Sequence, residues 1–121
     1  VALDGSICRG PIPNPHDPTT DVGKGAGVYM MDSRTIGDRR LVRFLLELGE
    51  QNGIAVQRNI GGGTDASALQ QAGRGTLATT VGAPVRYMHS TVQLCHLDDI
   101  EATISLMKVF LEHAHELEVP A

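Results

Sequence analysis

The sequence has no tryptophan and only two tyrosines and two phenylalanines in 121 residues. Platforms for stacking nucleobases or sugar rings are therefore nearly absent. It also lacks any run of lysine or arginine, and ten basic residues stand against fourteen acidic ones for a net charge of -4. A basic face for nucleic acid is excluded on that balance. No apolar stretch approaches the roughly 20 residues of a membrane-spanning helix, so no membrane partner is expected. Cysteine is scarce: Cys8 and Cys95 stand far apart, and they are expected to be free thiols of a reducing, cytoplasmic compartment rather than a disulfide framework. An initiator methionine is missing too. The chain opens on "VALDGS" as if a first strand were entered midway, and a piece of a longer polypeptide is expected.

What is present reads as one domain that alternates strands and helices. Val1 to Leu3 form a short strand, and residues 9–27, "RGPIPNPHDPTTDVGKGAG", an irregular loop. "GVYMM" is a second strand. From Asp38 the period becomes helical, with Leu41, Phe44, Leu45 and Leu48 on one face and Gly53 as the stop. "IAVQRNI" alternates like a strand, and "GGGTDASALQQAGRG" turns into a helix capped by Thr64 or Asp65 and ended by Gly73 or Gly75. "TLATTVGA" suits a strand buried on both faces. A last helix is expected to start with an Asp98–Glu101 capping box and to bury Ile100, Ile104 and Leu111. The order implies an α/β fold with a largely parallel sheet and right-handed crossovers.

In such sheets, sites gather at the carboxyl ends of strands. Asp4, the "GGGTD" turn and His89 in "APVRYMHST" all fall there. A carboxylate and an imidazole are ligands for zinc or a related ion. Taken singly, though, an aspartate after a strand is more often a loop cap, and a lone histidine beside apolar residues is more often packed in the core. The glycine turn offers backbone N–H groups at a helix N-terminus, where a carboxylate, phosphate or developing oxyanion is favoured; Gly61 to Gly63 could equally form only a tight turn. "GKGAG" is no phosphate loop, because Lys24 is followed by glycine rather than serine or threonine. His113 and His115 point away from each other on a helix and are expected in solvent. "HLDD" resembles a ligand pair, but Asp98 is better used as a cap.

These blocks together, "VALD", "VGKGAGV", "GGGTDASAL" and "GAPVRYMHSTVQLCHLDDIEATISLM", resemble the C-terminal part of the glutamyl-aminopeptidase and cellulase-M family, tetrahedral-type aminopeptidases with two co-catalytic metals. The resemblance implies a three-layer α/β/α catalytic domain, interrupted in the family by a smaller β-rich domain, and removal of N-terminal residues from peptides. It implies that Asp4 binds one divalent ion, zinc or cobalt, and His89 the other. Gly62, Gly63, Thr64 and Asp65 match the turn lining the substrate cleft, while Arg86, Tyr87 and Ser90 match residues that support the histidine. It also implies homo-oligomers that build a tetrahedral shell.

A complete site in this pattern further needs a His-x-Asp pair, a bridging carboxylate and adjacent glutamates, one of them the general base. None is expected within residues 1–121, so the isolated chain is expected to be inactive and to pair with the missing N-terminal half or with itself. Two other readings stay open: a non-enzymatic α/β binding or assembly module that keeps the fold, and a glycoside hydrolase. The scarcity of aromatics and the lack of an obvious carboxylate pair weigh against the hydrolase.

Overall fold

The computed structural model describes residues 1–119. In chain order its elements are β1 (Ala2–Ile7), β2 (Ala26–Met31), α1 (Arg39–Gln51), β3 (Val56–Ile60), α2 (Ala66–Gln71), β4 (Thr80–Arg86), β5 (Leu94–Cys95) and α3 (Leu97–His113), with a 3-10 turn at Ala114–Glu116. They form a mixed α/β fold around one sheet in the order β1-β4-β2-β3. Most of the ladder is parallel: β1 follows β4 from Ala2–Thr80 to Ile7–Val85, and β2 follows β3. The central junction of β2 with β4 is antiparallel, through Gly27–Gly82 and Val28–Val81. β5, which the sequence did not suggest, adds a short antiparallel pair at the far end of β4.

α1 and α3 pack on one face of this sheet. Ala26, Val28 and Val81 meet Leu41, Leu45 and Leu48 of α1 and Leu106 of α3. Each buried leucine contributes about 1.5–3 kcal/mol. α1 starts where expected: Asp38 accepts hydrogen bonds from the backbone N–H of Arg40 and Leu41, two donors the first turn leaves without helical partners. Gly53 follows it in the left-handed region at φ +65, a conformation that favours glycine.

The opposite face is polar yet sealed. Ser6, Thr20 and Asn59 are each fully buried there. The Thr20 hydroxyl donates to the Ile7 carbonyl at 2.9 Å and lies 3.5 Å from the side-chain oxygens of Ser6 and Asn59. The proline-rich loop after β1 covers them. An Arg9–Asp21 ion pair anchors it at one point, and the Thr19 hydroxyl, between the Arg58 carbonyl and the Ile60 N–H, anchors it at another.

Several local expectations are corrected. β1 runs on to Ile7 because Gly5 and Ser6, poor strand formers alone, pair with Ala83 and Pro84. β4 begins at Thr80 rather than Thr76, since the backbone before it bonds elsewhere: the Thr76 N–H donates to the Gln70 carbonyl and the Ala78 carbonyl accepts the Asp38 N–H. The cap of α3 is His96, whose Nδ1 accepts the Asp98 N–H, not Asp98. The apolar stripe expected on α3 is also wrong at Ile104 and Leu111, which are 63% and 71% exposed. Asp99, Thr103 and Leu106 turn inward instead. The buried Asp99 carboxylate accepts the N–H groups of Gly23 at 2.6 Å and Gly25 at 2.7 Å. Two charge-assisted bonds to a loop thus take the place of apolar packing.

Candidate metal and substrate site

Asp4 and His89 line the same cavity, of about 240 Å³, together with Gly5, Ile7, Tyr29, Gly62, Gly63 and Met88. The sheet makes this possible. Asp4 sits within β1 opposite Gly82 of β4, and the turn after β4 then folds back over β1. Gly5 leaves room for that return: the Met88 methyl lies 2.9 Å from the position of a Cβ there, and only the flexible end of that side chain would have to shift for a larger residue.

The turn is strained. Tyr87 and His89 adopt φ of +61 and +65, the left-handed region that costs a residue with a side chain roughly 1–2 kcal/mol. Ser90 fixes it: its N–H donates to the Tyr87 carbonyl at 3.1 Å. Its hydroxyl lies 2.5 Å from the Tyr87 carbonyl and 2.7 Å from that of Val92. Ser90 therefore holds the backbone that presents His89. Tyr87 is 57% exposed and points to solvent. Arg86 turns toward Cys8 instead of His89: burial pushes the Cys8 thiol up, and the nearby Arg86 guanidinium opposes that shift. Cys8 is buried and Cys95 exposed, and both are free.

The glycine turn contributes in two ways. Gly62 and Gly63 reach the cavity wall, and among the described residues no backbone carbonyl accepts the N–H of either. Thr64 lies behind them, buried, with its hydroxyl 2.5 Å from that of Thr80 and within 3.4 Å of Asp32. Asp65 occupies the N-cap position of α2 without a side-chain capping bond and is exposed. Asp32 braces the turn from the other side by accepting the N–H groups of Arg34 and Thr35, and Ser33 donates its N–H to the Gly62 carbonyl.

Tyr29 was not singled out by sequence. Its ring is 3% exposed, its hydroxyl donates to the Gly5 carbonyl at 3.2 Å, and the position of a Gly62 Cβ would fall 3.8 Å from that oxygen. The phenol thus bridges the Asp4 strand and the glycine turn, and burial holds it in the neutral form by pushing its pKa up. The only sequence signal was its place one residue out of phase with Val28.

As a donor set, Asp4 and His89 suit part of a divalent-metal site, one oxygen and one nitrogen. They do not close one. Among the described residues no group of three His, Cys, Asp or Glu side chains could hold an ion together.

Asp4 within β1, His89 in the turn after β4 and the glycine turn after β3 thus meet at one cavity of a mixed α/β sheet. Residues 1–106 match the family model of the M42 glutamyl aminopeptidases, and the chain belongs to that family. It is similar to a TET aminopeptidase from a marine sediment archaeon of the Thaumarchaeota, with 31% identity and a TM-score of 0.84 over 96% of this chain and 34% of that one. The TET1 peptidase of Pyrococcus horikoshii, which assembles into a tetrahedron or a large octahedral shell, is 33% identical over 90% of this chain and 31% of its own, with a TM-score of 0.76. A lysyl aminopeptidase of Pyrococcus furiosus is 38% identical over 56 residues, 46% of this chain and 16% of that protein. The chain thus spans about a third of the length of these solved relatives. No helix among the described residues is long and apolar enough to cross a membrane.

Proposed function

We propose that this chain is the C-terminal part of the catalytic domain of an aminopeptidase with two divalent metal ions, zinc or cobalt, that removes N-terminal residues from peptides. The observation that carries the reading is the convergence of Asp4 and His89, distant in sequence, on one cavity with Gly62 and Gly63. A non-enzymatic module has no need of that convergence. In this reading Asp4 supplies a carboxylate oxygen to one ion and His89 an imidazole nitrogen to the other. When bound, the ions polarise the scissile carbonyl and activate water.

The remaining work belongs to the protein. Ser90 keeps His89 in its left-handed conformation, and Tyr29 holds the carbonyl of Gly5, the residue after Asp4. The N–H groups of Gly62 and Gly63, with no side chain in the way, receive the substrate backbone. The further ligands and the general base come from polypeptide outside residues 1–121, and the complete enzyme assembles as a homo-oligomer.

Calorimetric titration of zinc tests this. The isolated chain should bind zinc weakly, the full-length protein tightly, and Asp4→Ala or His89→Ala should abolish the tight phase in the latter. Tight binding that survives both substitutions, or a full-length protein that releases no N-terminal residue with zinc or cobalt present, overturns the reading.

A further inference from the structure

Asp4 is exposed, and an exposed carboxylate turns freely unless something holds it. One of its oxygens is held. The Gly5 N–H donates to Asp4 Oδ1 at 2.7 Å, a bond strengthened by the charge of its acceptor. Among the described residues no hydrogen-bond donor or ion-pair partner meets Oδ2. The carboxylate therefore has a single oxygen to offer in the cavity it lines.

That arrangement depends on the backbone at Gly5, and glycine is the residue least able to fix its own backbone. Pairing with Ala83 in the β1–β4 ladder holds it in part. A second hold comes from β2. β4 stands between β2 and β1, yet the Tyr29 hydroxyl reaches the Gly5 carbonyl at 3.2 Å. Filling the buried space of the ring would need only a phenylalanine. A buried hydroxyl costs free energy unless it is hydrogen-bonded, and here its acceptor is the residue that holds Asp4. Burial pushes the phenol pKa up, and the Asp4 and Asp32 carboxylates act in the same direction, so the hydroxyl keeps its proton and stays a donor.

We infer that Tyr29 is a positioning residue for Asp4: through Gly5 it fixes the carboxylate so that Oδ2 alone meets a divalent ion. The inference rests on the metallopeptidase reading and adds a residue outside the ligand set that governs one of its two ions. The other ion is independent of it. The turn that presents His89 is held by Ser90, and Tyr29 makes no hydrogen bond to that turn among the described residues. Loss of a group that orients a metal ligand lowers affinity by about 10–100-fold.

Tyr29→Phe in the full-length protein tests it, since the ring stays and only the hydroxyl goes. Calorimetric titration of zinc should show one site weakened at least roughly tenfold and the other unchanged. In an Asp4→Ala background the same substitution should change zinc binding no further, the mark of a residue that acts through Asp4. In the zinc-free protein, hydrogen exchange of the segment around Gly5 should quicken while that of α1 does not. kcat should fall with KM nearly unchanged, and excess zinc should restore it. A parent that binds no zinc overturns the metallopeptidase reading and this inference with it. A parent that binds two ions overturns the inference alone if Tyr29→Phe keeps both affinities, weakens both sites alike, or still loses affinity in the Asp4→Ala background.

Discussion

Gly82 faces Asp4 across the β1–β4 ladder so closely that a Cβ on Gly82 would overlap the Asp4 carbonyl oxygen. No rotamer choice relieves a clash with backbone. Gly82→Ala should therefore destabilise the chain by about 3 kcal/mol or more by prising the two strands apart. The check is a lowered urea midpoint at unchanged slope. A variant within about 0.5 kcal/mol of the parent would show that the strands are looser than this geometry requires.

The left-handed conformation of His89 leads to a prediction of opposite sign. Releasing that strain gains roughly 1–2 kcal/mol, and the extra freedom of glycine in the unfolded chain takes back roughly 0.4–1 kcal/mol. His89→Gly should thus stabilise the isolated chain by about 0.5–1 kcal/mol relative to His89→Ala, which keeps the strain. Thermal melts of the two variants decide it, and equal melting temperatures would mean the turn stores no strain at this position.

Asp99 ties α3 to the loop after β1 through Gly23 and Gly25. Asp99→Ala should leave the buried Gly25 N–H unpaired and free the exposed Gly23 N–H to water, at about 2 kcal/mol in total. Limited proteolysis should then cut between residues 10 and 25 at a higher rate than in the parent. Unchanged protection of that loop would place its anchoring elsewhere, at Arg9–Asp21 or Thr19.

The cap of α1 gives a pH dependence. Hydrogen bonding from the Arg40 side chain holds the Asp38 carboxyl below its usual range. Because the folded pKa is the lower one, the unfolded chain binds the proton first as pH falls. The stabilisation is complete above the ordinary carboxylate range and disappears as pH drops through the folded value. Asp38→Ala should cost about 1 kcal/mol near neutral pH, with the gap to the parent closing in strong acid. A gap that stays constant down to about pH 2 would assign the effect to helix propensity instead of the charge.

How far these features could be read from sequence depended on what buries them. α1 was plain because its inward face is apolar at helical spacing and its ends carry Asp38 and Gly53. α3 was misread because it buries Asp99 and Thr103 against loop backbone and leaves Ile104 and Leu111 outside, so periodicity pointed to the wrong side. His96 was missed as a cap because the cap position seldom uses an imidazole. The antiparallel β2–β4 junction has no local signature at all; it depends on which strands meet. Asp4 and His89 were ordinary residues in isolation, and only the resemblance of their surrounding blocks marked them. Tyr29 stayed invisible because its role is to connect two backbone segments that the sequence keeps far apart.

The parallel pairing of β1 with β4 carries a consequence for how the chain is made. The partner of β1 emerges about eighty residues after it, so this edge of β1 must wait for β2, α1, β3 and α2 to be synthesised before β4 can pair with it. Pairing across such a separation is intrinsically slow and exposes an open strand edge meanwhile. β2, α1 and β3 have no such wait, since they lie next to one another in sequence and pack together. The meeting of Asp4 with His89 therefore waits on β4, and a nascent chain arrested before residue 80 would carry Asp4 on a strand that lacks its β4 partner.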